Sequence, residues 1–219
     1  MSIDQRGFEI LERVLDPAEC ARLAAGIAPC CGAGARHLMT DAGVRAFAYH
    51  EALLAIARAA VGPTAMPFRA TLFAKSGVRN WLVVWHQDTT LPLATRHESP
   101  EWGPWSVKAG VVYAHAPAWA LANVVALRVH LDDCTAANGP LRVIPGSHRQ
   151  GVLADALVFR LARERAAVEC LVGCGGVLAM RPLLIHASSK AHRPEPRRVL
   201  HLEYAASLDL GPGLRLAVA

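Results

Sequence analysis

The chain has 219 residues, 53% of them hydrophobic and 19% charged, with a mean hydropathy of +0.25. These values describe a well-filled globular domain and exclude intrinsic disorder and a small disulfide-stapled scaffold. Lys plus Arg number 23 against 18 Asp plus Glu, a formal charge of +5; the basic residues are scattered without aromatic interleaving, which argues against a nucleic-acid partner, while an anionic small substrate or cosubstrate accounts for the balance equally well.

The opening stretch, Met1 to Glu12, carries Asp4, Arg6, Glu9 and Glu12 and no apolar signal core. The longest apolar runs, such as Leu82 to Trp85 and Val124 to Leu127, fall far below the ~20 residues that cross a bilayer, so a cytoplasmic protein with no membrane partner is expected. Asp16-Pro17 is an N-cap followed by proline in the first turn, and Cys20, Leu23, Ala24 and Ile27 recur at helical spacing before Pro29. Cys30 to Gly34 is turn-like. Glu51 to Val61 forms a second helix with an apolar face, ended by Gly62-Pro63. The six cysteines, at 20, 30, 31, 134, 170 and 174, show no C-x-x-C spacing and are expected as reduced thiols.

From Met66 the texture changes. Phe68 to Ala74, Trp81 to His86, Val107 to Val112, Val124 to Leu131, Leu141 to Ile144, Gly176 to Met180 and Val199 to Ala205 are short runs rich in β-branched, aromatic and other apolar residues, separated by Gly, Pro, Asn and Ser. Such spacing predicts a mainly β protein with flanking helices, an antiparallel sandwich or jelly roll. The expected organisation is one domain over 1–219, with helical support in 1–65, a β core in 66–206 and a lid around 89–118. Within Val124 to Leu131, Val125, Leu127, Val129 and Leu131 share one face and Ala126, Arg128 and His130 the other. Arg128 then points either into the core mouth, where it needs an anion, or out to solvent.

Chemistry centres on Trp85-His86-Gln87-Asp88. In an extended chain positions i and i+2 face the same way, so the imidazole of His86 and the carboxylate of Asp88 can converge on one ion. His186, ending an apolar segment, is the candidate third ligand of a two-histidine, one-carboxylate set, which leaves adjacent positions on Fe(II) open. Arg197, eleven residues on, offers a bidentate fork for a distal carboxylate, and Ser188 a second hydrogen bond to it. A zinc hydrolase built on the same three ligands stays open, as does a module that binds without catalysing. Asn138-Gly139 and Pro145-Gly146-Ser147 bracket a tight corner, in which His148 is read as structural. Trp102-Gly103-Pro104-Trp105 either covers a ligand or clamps its loop to the core.

Taken together, Trp85 to Asp88, Asn138 to Arg149, and His186-Ala187-Ser188 with Arg197 and the Tyr204 strand resemble the phytanoyl-CoA dioxygenase family of Fe(II)- and 2-oxoglutarate-dependent oxygenases, relatives of ectoine hydroxylase. The resemblance implies a double-stranded β-helix (a cupin-like jelly roll), iron on His86, Asp88 and His186 as the catalytic centre, and the 2-oxoglutarate tail on Arg197 and Ser188. It also points to Arg128, Lys75 and Asn80 as cosubstrate contacts. The implied reaction consumes dioxygen and 2-oxoglutarate, releases succinate and CO2, and oxidises a small-molecule substrate. Retention of Asp88 favours hydroxylation over halogenation, and the short chain leaves little room for a coenzyme A binding region.

Overall fold

The computed structural model describes residues 2–28, 34–97 and 99–219. The first part of the chain contributes helix α1 (Ile3–Arg6), strand β1 (Phe8–Leu11), α2 (Pro17–Gly26), β2 (Gly34–Ala35), α3 (Ala42–Ala48) and α4 (Glu51–Val61). The middle supplies β3 (Met66–Lys75), β4 (Val83–His86), β5 (Thr90–Leu93), β6 (Trp105–Lys108), β7 (Val111–His115), α5 (Ala118–Ala122), β8 (Val124–His130) and β9 (Leu141–Val143). The last part adds α6 (Asp155–Glu164), β10 (Val168–Cys170), β11 (Val177–Met180), β12 (His186–Ser188), β13 (Arg197–Ala205), β14 (Asp209–Gly211) and β15 (Leu214–Arg215).

A major antiparallel sheet runs β1-β11-β8-β13-β3-β2, and a minor one runs β10-β9-β12-β4. The architecture is a double-stranded β-helix. Alternation along three neighbouring strands of the major sheet explains both its faces. Outward residues Val125, Leu127 and Val129 of β8, Leu200, Leu202 and Tyr204 of β13, and Ala70 and Leu72 of β3 join Val44, Phe47, Leu53, Leu54 and Ala57 of α3 and α4 in the largest core cluster. The opposite face is apolar toward one end, where Ala126, Leu178 and Met180 meet Leu141, Val143 and Leu184. Toward the other end it presents Arg128, Arg197, His201, Glu203 and Lys75, all buried. Behind the minor sheet, α6 packs Val158 and Leu161 against Ile144 and Ile185.

Several elements differ from expectation. Val107 to Val112 is a hairpin turn, because Ala109 (φ 47°) and Gly110 (φ 82°) both adopt left-handed backbone and reverse the chain between β6 and β7. Four helices were not anticipated: α1, α3, capped by Asp41 accepting from the Val44 amide at 2.9 Å, α5 and α6. Strands β1 and β2 within 1–65 extend the major sheet. The Pro29 stop and the Cys30–Cys31 pair lie outside the described residues, whereas Gly34 opens β2. Cys20, Cys134, Cys170 and Cys174 are free thiols. Among the described residues no helix is long and apolar enough to cross a membrane.

The Tyr204 hydroxyl, fully buried, donates to the Ala48 carbonyl at 2.7 Å and ties β13 to the end of α3. Tyr204→Phe strands that carbonyl, so we expect a loss of about 1–3 kcal/mol, seen as a lower urea midpoint at unchanged slope.

Candidate metal centre and its cavities

His86 ends β4 and pairs in register with His186 at the start of β12. The pairing sets the two imidazoles 4.2 Å apart between ring centres. Each ring orients itself the same way: His86 Nδ1 lies 2.8 Å from the Val84 carbonyl and His186 Nδ1 lies 2.8 Å from the Leu184 carbonyl. Donation from Nδ1 leaves the Nε2 lone pairs free, the tautomer a metal needs, with the carbonyl as the outer partner that fixes the ring. Both Nε2 atoms face Asp88, at 3.8 Å from Oδ1 for His86 and 3.7 Å from Oδ2 for His186. One ligand atom from each of the three residues falls within 4.8 Å of the others, a set able to hold a metal ion.

The intervening Gln87 explains why this short segment stays in place. Its buried amide turns the other way, donating to the Gly151 and Leu183 carbonyls at 2.9 and 2.7 Å and accepting from the Leu153 amide at 2.9 Å. The Asp88 amide bonds the Pro182 carbonyl at 3.0 Å. Burial alone would raise the Asp88 carboxyl; His186, His201, His86 and Arg69 around it reverse that and hold it well below the usual carboxylate range. Burial pushes His186 down to about 4, so without metal its ring is neutral at pH 7 and ready to ligate.

A cavity of about 110 Å3 opens against this cluster, with Lys75, Arg128, Ser188 and Arg197 in its wall. Arg128 therefore faces inward. Three buried cations meet here, and among the described residues none of them forms an ion pair with a carboxylate. The Nε atoms of Arg128 and Arg197 have no hydrogen-bond partner. Burial and the neighbouring Arg197 lower Arg128 to about 10, and burial with Arg197 and Arg128 lowers Lys75 to about 8. Buried like charges without a counter-ion are costly, and an anion in the cavity offsets that cost.

Ser188 lines the cavity and Asn80 lies outside its wall. The Ser188 hydroxyl donates to the Gly139 carbonyl at 2.9 Å and accepts from Lys75 Nζ at 2.7 Å, so its proton is already committed and it orients Lys75. Lys75 also donates to the Ser189 carbonyl at 2.5 Å. Gly139 makes this closeness possible: at φ +73° its Cβ position lies 2.5 Å from the Ser189 carbonyl and 3.2 Å from Lys75 Nζ. Asn80 does not line the cavity; its amide spans the backbone of Ala191, donating at 2.8 Å and accepting at 2.7 Å. His148 sits apart from the cluster, 3.1 Å from the Asp4 carbonyl. Trp102 is buried edge-on to Trp119 and neither it nor Trp105 lines this cavity, so the tryptophan pair clamps its loop.

Residues not anticipated complete the wall: Arg69, Phe73 and His201. Arg69 pairs with the buried Glu203, which holds it charged despite burial. His201 lies 3.1 Å from an Arg128 nitrogen. The signal was available as alternation, since Arg69, Thr71, Phe73 and Lys75 occupy every second position of β3, as Arg197, His201 and Glu203 occupy one face of β13.

The family model for phytanoyl-CoA dioxygenase matches residues 3–199. The chain belongs to the phytanoyl-CoA dioxygenase family. It is 29% identical over 136 residues to L-proline trans-4-hydroxylase of Streptomyces griseoviridis, an alignment that spans 49% of this family member and 49% of that relative. Among solved structures, AviO1 from Streptomyces viridochromogenes Tue57 superposes with a TM-score of 0.67 at 25% identity, covering 98% of this chain and 94% of that one. EctD from S. alaskensis, solved with 2-oxoglutarate and 5-hydroxyectoine, superposes with a TM-score of 0.68 at 22% identity, covering 93% and 73%. At that identity the second match speaks for the fold.

Proposed function

We propose that this member of the phytanoyl-CoA dioxygenase family is an Fe(II)- and 2-oxoglutarate-dependent dioxygenase that hydroxylates a small molecule. The observation that carries the reading is the juxtaposition of an imidazole, imidazole and carboxylate cluster with a cavity whose three buried cations form no ion pair with a carboxylate among the described residues. His86, Asp88 and His186 would hold Fe(II), and the donor set suits it. Iron held there supplies the redox chemistry, in which R–H, 2-oxoglutarate and O2 become R–OH, succinate and CO2.

The chain's own residues do the rest. Arg197 and Arg128 offer guanidinium donors to the far carboxylate of the cosubstrate, and Lys75, steered by Ser188 and the Gly139 turn, adds a third charge. The carbonyls of Val84 and Leu184 keep both histidines in the ligating tautomer. Hydroxylation as the outcome is supported by the retained Asp88 and by the named activity of the proline hydroxylase relative.

Protein purified without oxygen and loaded with Fe(II) should bind 2-oxoglutarate at one equivalent by calorimetry. Admitting oxygen with ascorbate should then yield succinate. Tight 2-oxoglutarate binding with no succinate across a broad substrate panel would favour a non-catalytic sensor, and zinc at one equivalent supporting hydrolysis would overturn the oxygenase reading.

A further inference from the structure

On the other side of Asp88 lies a second cavity, of about 170 Å3, that shares Arg69, Phe73 and Asp88 with the first. Its remaining wall is made by Arg36, Thr71, Thr90, Lys108 and Tyr113. Strand β6 delivers Lys108 at its last position, directly before the Ala109-Gly110 turn, and the chain leaving β2 delivers Arg36. Of the three cations here, Arg69 alone forms an ion pair with a carboxylate among the described residues, that of Glu203. Lys108 Nζ rests 4.8 Å from the Tyr113 ring centre, and the Tyr113 hydroxyl lies 2.9 Å from His37 Nε2. The single carboxylate in the wall is Asp88, which would serve as a ligand to the metal. Arg36 and Lys108 are thus two like charges facing one concave surface beside the reactive centre, and burial with the nearby Arg36 and Arg69 pulls the Lys108 ammonium below its ordinary range.

We infer that this cavity is the substrate subsite and that its substrate is a small acid, whose carboxylate or phosphate sits on Lys108 and Arg36 while its C–H bond faces the metal held by His86, Asp88 and His186. A guanidinium and an ammonium set a few residues beyond the metal fix one charged end of a molecule and leave the other end to the metal side. The depression continues past Arg36 along Thr71, Phe73 and Trp81 for about 310 Å3, so an acid bearing an apolar or ring portion fits better than a minimal one. The inference rests on the dioxygenase reading.

The test is calorimetry on protein loaded anaerobically with Fe(II) and saturating 2-oxoglutarate, titrated with matched series: cyclic and linear carboxylic acids, their primary amides, and the corresponding alcohols and phosphate monoesters. Acids should bind at least about tenfold more tightly than amides, and phosphate esters exceeding or trailing the carboxylates identifies which anion the site takes. Lys108→Met and Arg36→Met should each weaken the preferred anion by about tenfold or more while the Kd for 2-oxoglutarate in the unliganded enzyme stays within about twofold. The inference is overturned if acids and phosphates bind no better than neutral counterparts, absence of binding by every member included, or if the two variants leave anion affinity unchanged. Failure to bind iron or 2-oxoglutarate at the loading step instead strikes the dioxygenase reading itself.

Discussion

Replacing His86 with alanine should abolish oxygen-dependent succinate formation and lower iron affinity by about a hundredfold or more, while the folded chain persists. Losing an outer-shell partner of a ligand typically costs about 10- to 100-fold in metal affinity, and losing the ligand itself costs at least that. His86 is the better test than His186 because their side chains differ in exposure, 36% against 5%. Truncating the half-exposed ring leaves little cavity, so a null result in activity is not a folding defect. Metal content after anaerobic gel filtration, circular dichroism and succinate yield separate the outcomes. Iron retained at one equivalent with turnover intact removes His86 from the ligand set.

The same ligand set shows how far a linear reading reaches. His86 and Asp88 are neighbours two apart on an extended segment, so their convergence is a local property and was legible. Their partner His186 lies a hundred residues away, and only the β4–β12 register, His86 opposite His186, brings it in. Its candidacy rested on its place at the end of an apolar segment and on the resemblance between motifs. Alternation in β8 correctly separated Arg128 from Val125, Leu127 and Val129, and left open which face was inward; β13 and β3 settle it by extending the same polar stripe with His201, Glu203, Arg69 and Lys75. Pairings such as Glu203 opposite Arg69 and Arg197 opposite Lys75 are interstrand facts with no local signature. Ser188 lies in the cavity wall as its position suggested, and its bond to the Gly139 carbonyl, from a turn 49 residues earlier, has no local signature. The hairpin at Ala109-Gly110 was missed because Val107, Val111 and Val112 suggested one strand running through two residues that are in fact left-handed.

Removing Arg197 should weaken 2-oxoglutarate binding and spare the apo fold, and the contrast between the two is the point of the experiment. The guanidinium is 3% exposed, its Nε is unpartnered, and Arg128 and Lys75 crowd it with like charge. The Arg197 side chain hydrogen-bonds the Cys134 thiol. Without cosubstrate it is a desolvated charge without a counter-ion, so Arg197→Met keeps the hydrophobic volume and relieves repulsion, leaving stability unchanged or higher. With cosubstrate the balance reverses, because the variant leaves a carboxylate short of its charged donors, a loss of about 2–4 kcal/mol or roughly 30- to 1,000-fold in Kd. Iron binding stays at one equivalent, since no ligand is touched. Thermal melts with and without 2-oxoglutarate report both effects in one titration: the apo melting temperature holds or rises, and the ligand-induced increase shrinks. An apo melting temperature that falls sharply while 2-oxoglutarate affinity is preserved would mean that Arg197 serves the core, and the cosubstrate's distal carboxylate would then have to rest on Arg128 and Lys75 alone.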